Sequence, residues 1–174
     1  MTMNRRATLL ALPTLAATTA ARAQAYPPHP IRVVVPSTPG GPPDLILRAI
    51  LPKLSATLGQ PVVAENRAGG GGVVGTLYVS RQPADGYTWL FTTASHTNIP
   101  PFNENATYDP VRDFTHVTLA AQNFGQALIV HPSVRATNVQ ELLALARATP
   151  GRLTYVNAGN GTASHIPAEL MKSM

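Results

Sequence analysis

Apolar residues recur at two different spacings in the first third of the chain, and they predict a strand followed by a helix. The run 31–35 is mostly β-branched and is stopped by Pro36, as expected of a strand buried in a parallel sheet. Apolar residues then recur at helical spacing from Leu47 to Leu58. Pro43 suits the first turn of this helix and Gly59 its end.

The same alternation continues to about residue 92. Further strands are predicted at 61–66 and 87–92, with a short helix between them that carries Val73 to Val79. Strands that alternate with helices in this way predict right-handed crossovers and an open parallel sheet, so the first half should be α/β. Pro52 lacks a backbone donor and predicts a kink in the first helix.

The second half begins with a segment, 99–113, that is rich in Pro, Asn and Asp and is predicted to be a surface loop. Two apolar runs follow at 117–121 and 127–130, and a domain boundary is expected between them. Asn138 is suited to cap a helix whose apolar face ends at Ala146.

Near the end of the chain, Pro150-Gly151 turns into the apolar run 153–156. A polar glycine loop then covers 157–165, and a new helix is predicted to start near Ile166.

The first 25 residues have the pattern of a secretory signal peptide. A charged start is followed by an apolar stretch from Ala7 to about Ala21 and by small residues, so cleavage after Ala23 or after Ala25 fits equally. The Arg5-Arg6 pair leaves twin-arginine export open. We therefore expect a periplasmic protein.

Composition narrows the classes of function. The 174 residues contain no cysteine, which excludes a disulfide scaffold and a Cys-ligated metal centre. The net charge of the whole sequence is +5, but three of its arginines lie in the predicted leader. The remaining chain has 10 basic and 8 acidic residues. No basic stripe of the kind that binds phosphates remains, so nucleic acid is not an expected partner.

A glycine motif at 70–75 matches the dinucleotide-binding pattern between a strand and a helix. In dinucleotide-binding proteins, an acidic residue that binds the ribose ends the next strand, about 20 residues after the motif. Here the next strand ends in Phe91-Thr92-Thr93, which has no acidic residue. The motif therefore favours a tight turn with close packing, and a nucleotide-binding α/β enzyme stays as the alternative.

Other catalytic arrangements are weaker still. The sequence has no Gly-x-Ser-x-Gly elbow, and its histidines lack a metal-binding spacing. Adjacent side chains in Ser95-His96 and Ser164-His165 usually diverge. We expect no enzyme, no metal and no cofactor.

Three polar loops, 37–44, 93–98 and 157–165, each follow a predicted strand and precede a predicted helix. Open α/β sheets bind ligands at the carboxyl ends of their strands, where helix N-termini favour anions. Hydroxyls, amides and backbone N–H groups in these loops can hold a carboxylate without a dedicated arginine.

Motifs in the same order along almost all of 26–174 resemble one family, the Bug-type receptors, which are extracytoplasmic solute-binding proteins of tripartite tricarboxylate transporters. These motifs lie at Tyr26–Asp44, Leu58–Val63, Glu65–Gly70, Gly75-Thr76, Pro83–Thr88, Tyr108–Phe114, Val130–Ser133, Pro150–Tyr155 and Gly159–Thr162.

The resemblance implies an α/β, periplasmic-binding-protein-like (type II) fold with two lobes that trap a small carboxylate for membrane components of the transporter. It places the first lobe at 26–123, the start of the second at 124–174, and a hinge near 122–126. A complete receptor would be a monomer. The ligand-binding residues that the resemblance implies are Ser37, Thr38, Gly40, Gly41, Asp44, Thr93, Ser95, His96, Thr97, Asn157, Gly159, Asn160, Gly161, Thr162, Ser164 and His165.

Members of this family are considerably longer, and their chain returns from the second lobe to complete the first. We therefore expect this sequence to be a fragment or truncated product whose missing strands leave apolar edges exposed. Alone, it should bind its carboxylate weakly or not at all.

Overall fold

A computed structural model describes residues 26–122 and 125–174. Its centre is a parallel sheet of three strands in the order β2-β1-β3, formed by β1 (Ile31–Val35), β2 (Val62–Asn66) and β3 (Thr88–Leu90). Val33 in the middle of β1 is paired with Ala64 on one side and with Trp89 on the other. The predicted parallel α/β sheet is confirmed.

Five α-helices accompany the sheet in the described residues: α1 (Pro42–Leu58), α2 (Val73–Ser80), α3 (Ser95–Asn98), α4 (Val139–Ala148) and α5 (His165–Ser173). Short 3-10 turns lie at Gly70–Gly72 and Pro100–Phe102. No described helix has the length and apolar character needed to cross a membrane.

The main core lies between the sheet and α1. Alternate residues of β1 face α1 and are almost fully buried, and they pack with Leu47 of α1 and Val62 of β2. Val34 points to the other face and is also fully buried, which explains why β1 has almost no polar residue.

The bounds of α1 follow from its sequence. Pro42 and Pro43 occupy the first turn, where their missing N–H groups have no intrahelical partner to lose. Gly59 ends the helix with φ of 66°, a left-handed conformation that glycine adopts without strain. The helix runs through Pro52 without a break in its assignment.

A second core cluster joins α2 and α3 to the loop that follows them. Val73, Ile99, Ala106 and Tyr108 are its buried members. The Tyr108 hydroxyl donates to the His96 carbonyl at 2.9 Å, so the 99–113 loop is fixed to α3.

The C-terminal helices form where they were predicted. The Asn138 side chain accepts a hydrogen bond from the Glu141 backbone N–H at 2.9 Å, which confirms the predicted cap of α4. Helix α5 begins at His165, one residue before the predicted start.

The three apolar runs of the second half, 117–121, 127–130 and 153–156, have no regular structure, so the strand predicted before the third loop is wrong for the described residues. Val117 is 90% exposed, Ile129 84% and Val156 96%. No described strand is paired with them, so their β-branched residues have no surface against which to pack. The predicted signal peptide at 1–25 and the lobe boundary at 123/124 lie outside the described residues.

Candidate functional site

Parallel pairing brings the carboxyl ends of the three strands to one edge of the sheet, and the first and second candidate loops follow β1 and β3 there. The turn after β1 touches the start of α2 so closely that a side chain at Gly75 would not fit. A Cβ atom there would lie 2.8 Å from the Arg67 carbonyl oxygen and 2.9 Å from Pro36 Cβ. Gly75 therefore serves helix–strand packing.

In the first loop, Asp44 holds the turn against the sheet. It is only 1% exposed, and its carboxylate accepts hydrogen bonds from the Gly40 N–H at 2.8 Å, Arg48 Nε at 2.9 Å and Asn66 Nδ2 at 3.0 Å. The Arg48 hydrogen bond, followed by that from Gly40, lowers the pKa of Asp44 to about 2. The carboxylate therefore holds the start of α1 against the first loop and β2.

The remaining residues of the first loop form a tight turn, in which Ser37 is half-buried and Thr38 is exposed. Gly41 N–H donates to the Thr38 carbonyl at 3.1 Å, and Gly40 has φ of 78°. The Ser37 carbonyl accepts from Asn66 Nδ2 at 3.2 Å, while its hydroxyl has only a weak contact with the Thr38 carbonyl at 3.4 Å. Ser37 and Thr38 can therefore offer O–H groups to an anion.

In the second loop, 93–98, the threonine hydroxyls hydrogen-bond within the loop. The Thr93 oxygen accepts from the Ser95 N–H at 3.3 Å, and the Thr97 hydroxyl donates back to the Ala94 carbonyl at 3.0 Å. These bonds close the single turn of α3. Among these side chains, the Ser95 hydroxyl makes the fewest hydrogen bonds within the loop.

His96 points into the second core cluster. Its ring is stacked 5.2 Å from Tyr108 and lies edge-on 4.7 Å from Phe114, and its Nε2 is 3.2 Å from the Pro110 carbonyl oxygen. Burial lowers the pKa of His96, so the neutral ring is the stable form. Its Nδ1 is buried and has no hydrogen-bond partner in the described part of the chain.

The third loop, 157–165, is held by its own side chains. Asn157 Oδ1 accepts from the Gly159 N–H at 2.7 Å, and the Thr162 hydroxyl donates to the Gly159 carbonyl at 2.6 Å. The Ser164 hydroxyl accepts from the Ala158 N–H at 3.2 Å. The loop is therefore preorganised before any ligand arrives.

This third loop packs directly on the second loop and on the glycine turn at 70–72. A Cβ atom added to Gly161 would lie 2.8 Å from Ile99 Cα and 3.1 Å from the Asn98 carbonyl oxygen. One added to Gly159 would lie 3.5 Å from Gly71 Cα. The sequence motifs gave no signal that Gly71 would contact the third loop.

His165 stands at the start of α5 beside an open cavity of about 440 Å³ that is lined by Phe102, Asn160, His165 and Glu169. Its Nδ1 accepts from the Gly161 N–H at 3.2 Å, and its Nε2 is 3.6 Å from Glu169 Oε1. The Tyr155 hydroxyl and then Lys172 lower the pKa of Glu169, which is therefore anionic. Phe102 and Glu169 are neighbours of the predicted site that the motifs did not single out.

The structure thus brings the second and third loops into contact and places the first loop at the same sheet edge. Whether the predicted residues contact a ligand stays a prediction. In the described residues, no group of three acidic or histidine side chains is arranged to hold a metal ion.

The glycine motif at 70–75 has a packing role in this fold. The Gly72 and Val74 amides both donate to the Gly69 carbonyl, at 2.9 and 3.4 Å. Two of the amides that a pyrophosphate would need are therefore already bonded, and the geometry favours the tight turn over the nucleotide site.

Comparison with known proteins gives a consistent result. Residues 46–174 match the family described as "Tripartite tricarboxylate transporter family receptor". The chain is 39% identical over 158 residues to the "UPF0065 protein in tcbD-tcbE intergenic region" of Pseudomonas sp. (strain P51), covering 91% of this chain and 47% of that protein. It is 32% identical over 152 residues to "Protein BugT" of Bordetella pertussis, covering 86% and 46%.

Solved structures agree with the sequence matches. The "periplasmic binding protein BugD" is 29% identical with a TM-score of 0.66, over 85% of this chain and 50% of BugD. A protein of R. palustris, "Rpa4515 with adipate", is 30% identical with a TM-score of 0.68, over 86% and 50%. These neighbours confirm the periplasmic-binding-protein fold.

The chain spans about half the length of the curated relatives it matches. One of these solved relatives, BugD, is named as a periplasmic binding protein. The match over 46–174, together with the relatives and the shared fold, shows that the chain belongs to the receptor family of tripartite tricarboxylate transporters.

Proposed function

We propose that this chain is the ligand-capturing part of a periplasmic receptor that takes a small organic acid and delivers it to the membrane components of a tripartite tricarboxylate transporter. The observation that carries the proposal is the contact between the second and third polar loops, beside the sheet edge where the first loop begins, in a member of this family.

The chemistry of the loops suits a carboxylate. Ser37 and Thr38 carry hydroxyls that are not committed to strong internal bonds, and Asn160 is an exposed amide. The N-terminus of α5 adds partly positive backbone N–H groups at the third loop. Neutral donors of this kind bind an anion without the desolvation cost of burying an arginine.

The bound adipate in the R. palustris relative supports a ligand of the dicarboxylic acid class. A tricarboxylate fits the same donors, so the proposal extends to the related organic acids. The anionic Glu169 on one side of the open cavity disfavours a second carboxylate there, so the far end of the ligand should lie away from Glu169.

The proposal includes the organisation of the receptor. The signal peptide at 1–25 is removed on export, the first lobe comprises 26–123, and the second begins at 124. Closure is a hinge motion near 122–126, driven by ligand contacts that form only in the closed state.

The test is a thermal-shift screen of the chain against adipate, citrate, glutamate, benzoate and NAD, followed by calorimetry with any acid that stabilises it. A ligand that binds only the native state must raise its apparent stability. Ser37→Ala and Asn160→Ala should reduce that rise, whereas Ser173→Ala, at the end of α5, should not. Stabilisation by NAD alone would overturn the proposal in favour of the glycine motif.

A second candidate is a fragment that keeps the family's sequence but does not bind alone. The exposed apolar runs favour it, since Val117, Ile129 and Val156 are each more than four-fifths exposed. Unpaired extended segments of this kind are prone to associate. A broad, non-cooperative unfolding curve with no response to any acid would support this candidate and contradict capture by the chain alone.

A further inference from the structure

A surface outside the candidate carboxylate site combines arginine, tyrosine and aliphatic side chains. Helix α2 presents Val74, Leu77 and Tyr78 at positions i, i+3 and i+4, and its C-cap residue Arg81 continues the same face at i+7. With Arg67 and Gln82 they line an open depression of about 390 Å³. We call these six residues the α2 patch.

Of the two arginines in the patch, Arg67 is held in place by an aromatic and an acidic partner, and the neighbouring Arg32 shares both of them. The Arg67 guanidinium lies 3.5 Å above the centre of the Tyr78 ring, and Arg67 Nε donates to Glu65 Oε1 at 2.5 Å. Arg32 donates to the Tyr78 hydroxyl at 2.6 Å and lies 3.3 Å from the other Glu65 oxygen. An arginine that is already stacked loses less entropy when it binds a carboxylate.

Charge is concentrated here. Arg32 and Arg67 both pair with Glu65, and Arg81 lines the same depression as Arg67. The area therefore has three positive charges and one negative charge, a net charge of +2 that equals the net charge of all residues after the leader. Arg81 has no ion pair among the residues that the structure describes.

The apolar part of the patch is also open. Val74 is 53% exposed, and Leu77 is only partly covered by the rest of the described chain. Arginine and tyrosine beside exposed aliphatic residues are the composition typical of protein interfaces. None of the six residues belongs to the predicted carboxylate-binding set.

We propose that the α2 patch docks an acidic polypeptide segment, with carboxylates that pair with Arg67 and Arg81 and an apolar side chain that fills the depression over Val74 and Leu77. The charge complementarity selects an acidic partner, and the aliphatic floor selects a peptide over a small anion. Binding of a peptide at the α2 patch is separate from the proposed capture of a carboxylate and does not depend on it.

The test measures binding of the chain to a fluorescein-labelled peptide of alternating glutamate and leucine by fluorescence anisotropy. Arg81→Gln removes a charge that has no ion pair in the described chain, so it should weaken binding about three- to five-fold and leave the fold unchanged. Arg152→Gln removes an equal charge from an exposed site elsewhere and should change binding less than about two-fold. Equal losses in the two variants would overturn the proposal, because they would show only a net-charge effect.

Two further arms separate the alternatives. Arg67→Lys keeps the charge but loses the stacked, planar guanidinium, and it should also weaken peptide binding, with circular dichroism confirming that the chain stays folded. A glutamate–serine peptide that binds as tightly as the glutamate–leucine peptide, or complete displacement by inorganic phosphate, would show a simple anion site and overturn the proposal. Adipate should not displace the labelled peptide. If the chain binds no adipate, peptide binding still tests the α2 patch, because the two sites are separate.

Discussion

Replacing Gly161 by alanine should separate the third loop from the second, and the structure gives the size of the effect. Gly161 has φ of 77°, which costs an ordinary residue about 1–2 kcal/mol. The new Cβ would also lie 2.8 Å from Ile99 Cα, a backbone atom that no side-chain rotation can move. Overpacking of this kind costs about 1–3 kcal/mol more.

Gly151 provides a matched control. Its φ of 74° is almost the same, but a Cβ atom there would have no neighbour within 4 Å. Gly151→Ala therefore carries the same conformational strain and the same unfolded-state effect without the collision. The difference between the two variants isolates the contact between the loops.

The assay is hydrogen–deuterium exchange of the 157–165 loop. The Thr162 and His165 amides donate to Gly159 and Thr162 carbonyls at 3.2 and 3.0 Å, so both should be protected while the loop is docked. A penalty of about 1–3 kcal/mol would speed their exchange roughly 5- to 150-fold in Gly161→Ala relative to Gly151→Ala. Equal rates in the two variants would refute the close contact on which the site rests.

Three other changes test the scaffold. Leu47→Ala truncates a side chain that is 1% exposed and should lower the free energy of unfolding in urea by about 2–5 kcal/mol. Leu45→Ala, at a position of the same helix that is 59% exposed, should lower it little, and similar losses in the two variants would contradict the buried face of α1. The pKa of Asp44 is lowered to about 2, below its ordinary value of 3.8, so the ionised carboxylate should stabilise the fold fully above about pH 4, and this stabilisation should be lost as the pH falls towards 2. Asp44→Asn should flatten that part of the stability–pH curve, and an unchanged curve would contradict the Arg48 pairing. Tyr108→Phe removes the hydrogen bond to the His96 carbonyl and should cost about 1 kcal/mol in the same unfolding assay, while no change would indicate that the bond is not formed.

The sequence by itself determined the first half of the fold. Short β-branched runs that end at proline or glycine, alternating with a 3.6-residue apolar period, are local signals, and the strand 31–35 and the helix ending at Gly59 form where those signals lie. The cap at Asn138 is equally local. The ordered motifs also indicated the family, because their spacing along the whole chain carries more information than any one of them.

The tertiary structure decided which contacts the candidate side chains make within the chain. Asp44 and His96 were both candidate ligand contacts, yet Asp44 is bonded to Arg48 and Asn66, and His96 is packed under Tyr108 and Phe114. Arg48 is only four residues from Asp44 on the same helix, but the other partners, Asn66, Tyr108 and Phe114, lie 12 to 22 residues away. Such distant partners cannot be identified from local pattern, since they depend on how the loops cross.

Dependence on long-range packing also explains why the apolar runs after residue 116 form no strand in the described residues, and why the sequence carried no signal of the contact between Gly71 and the third loop. A β-branched run signals the capacity to form a strand, but a strand needs a neighbouring strand to satisfy its N–H and C=O groups, and none is paired with 117–122 or 125–130 in the described residues. Local sequence therefore determined which segments could form elements. Only the long-range packing of the chain decided which ones found partners, because hydrogen bonds and buried contacts are made between segments and not within them.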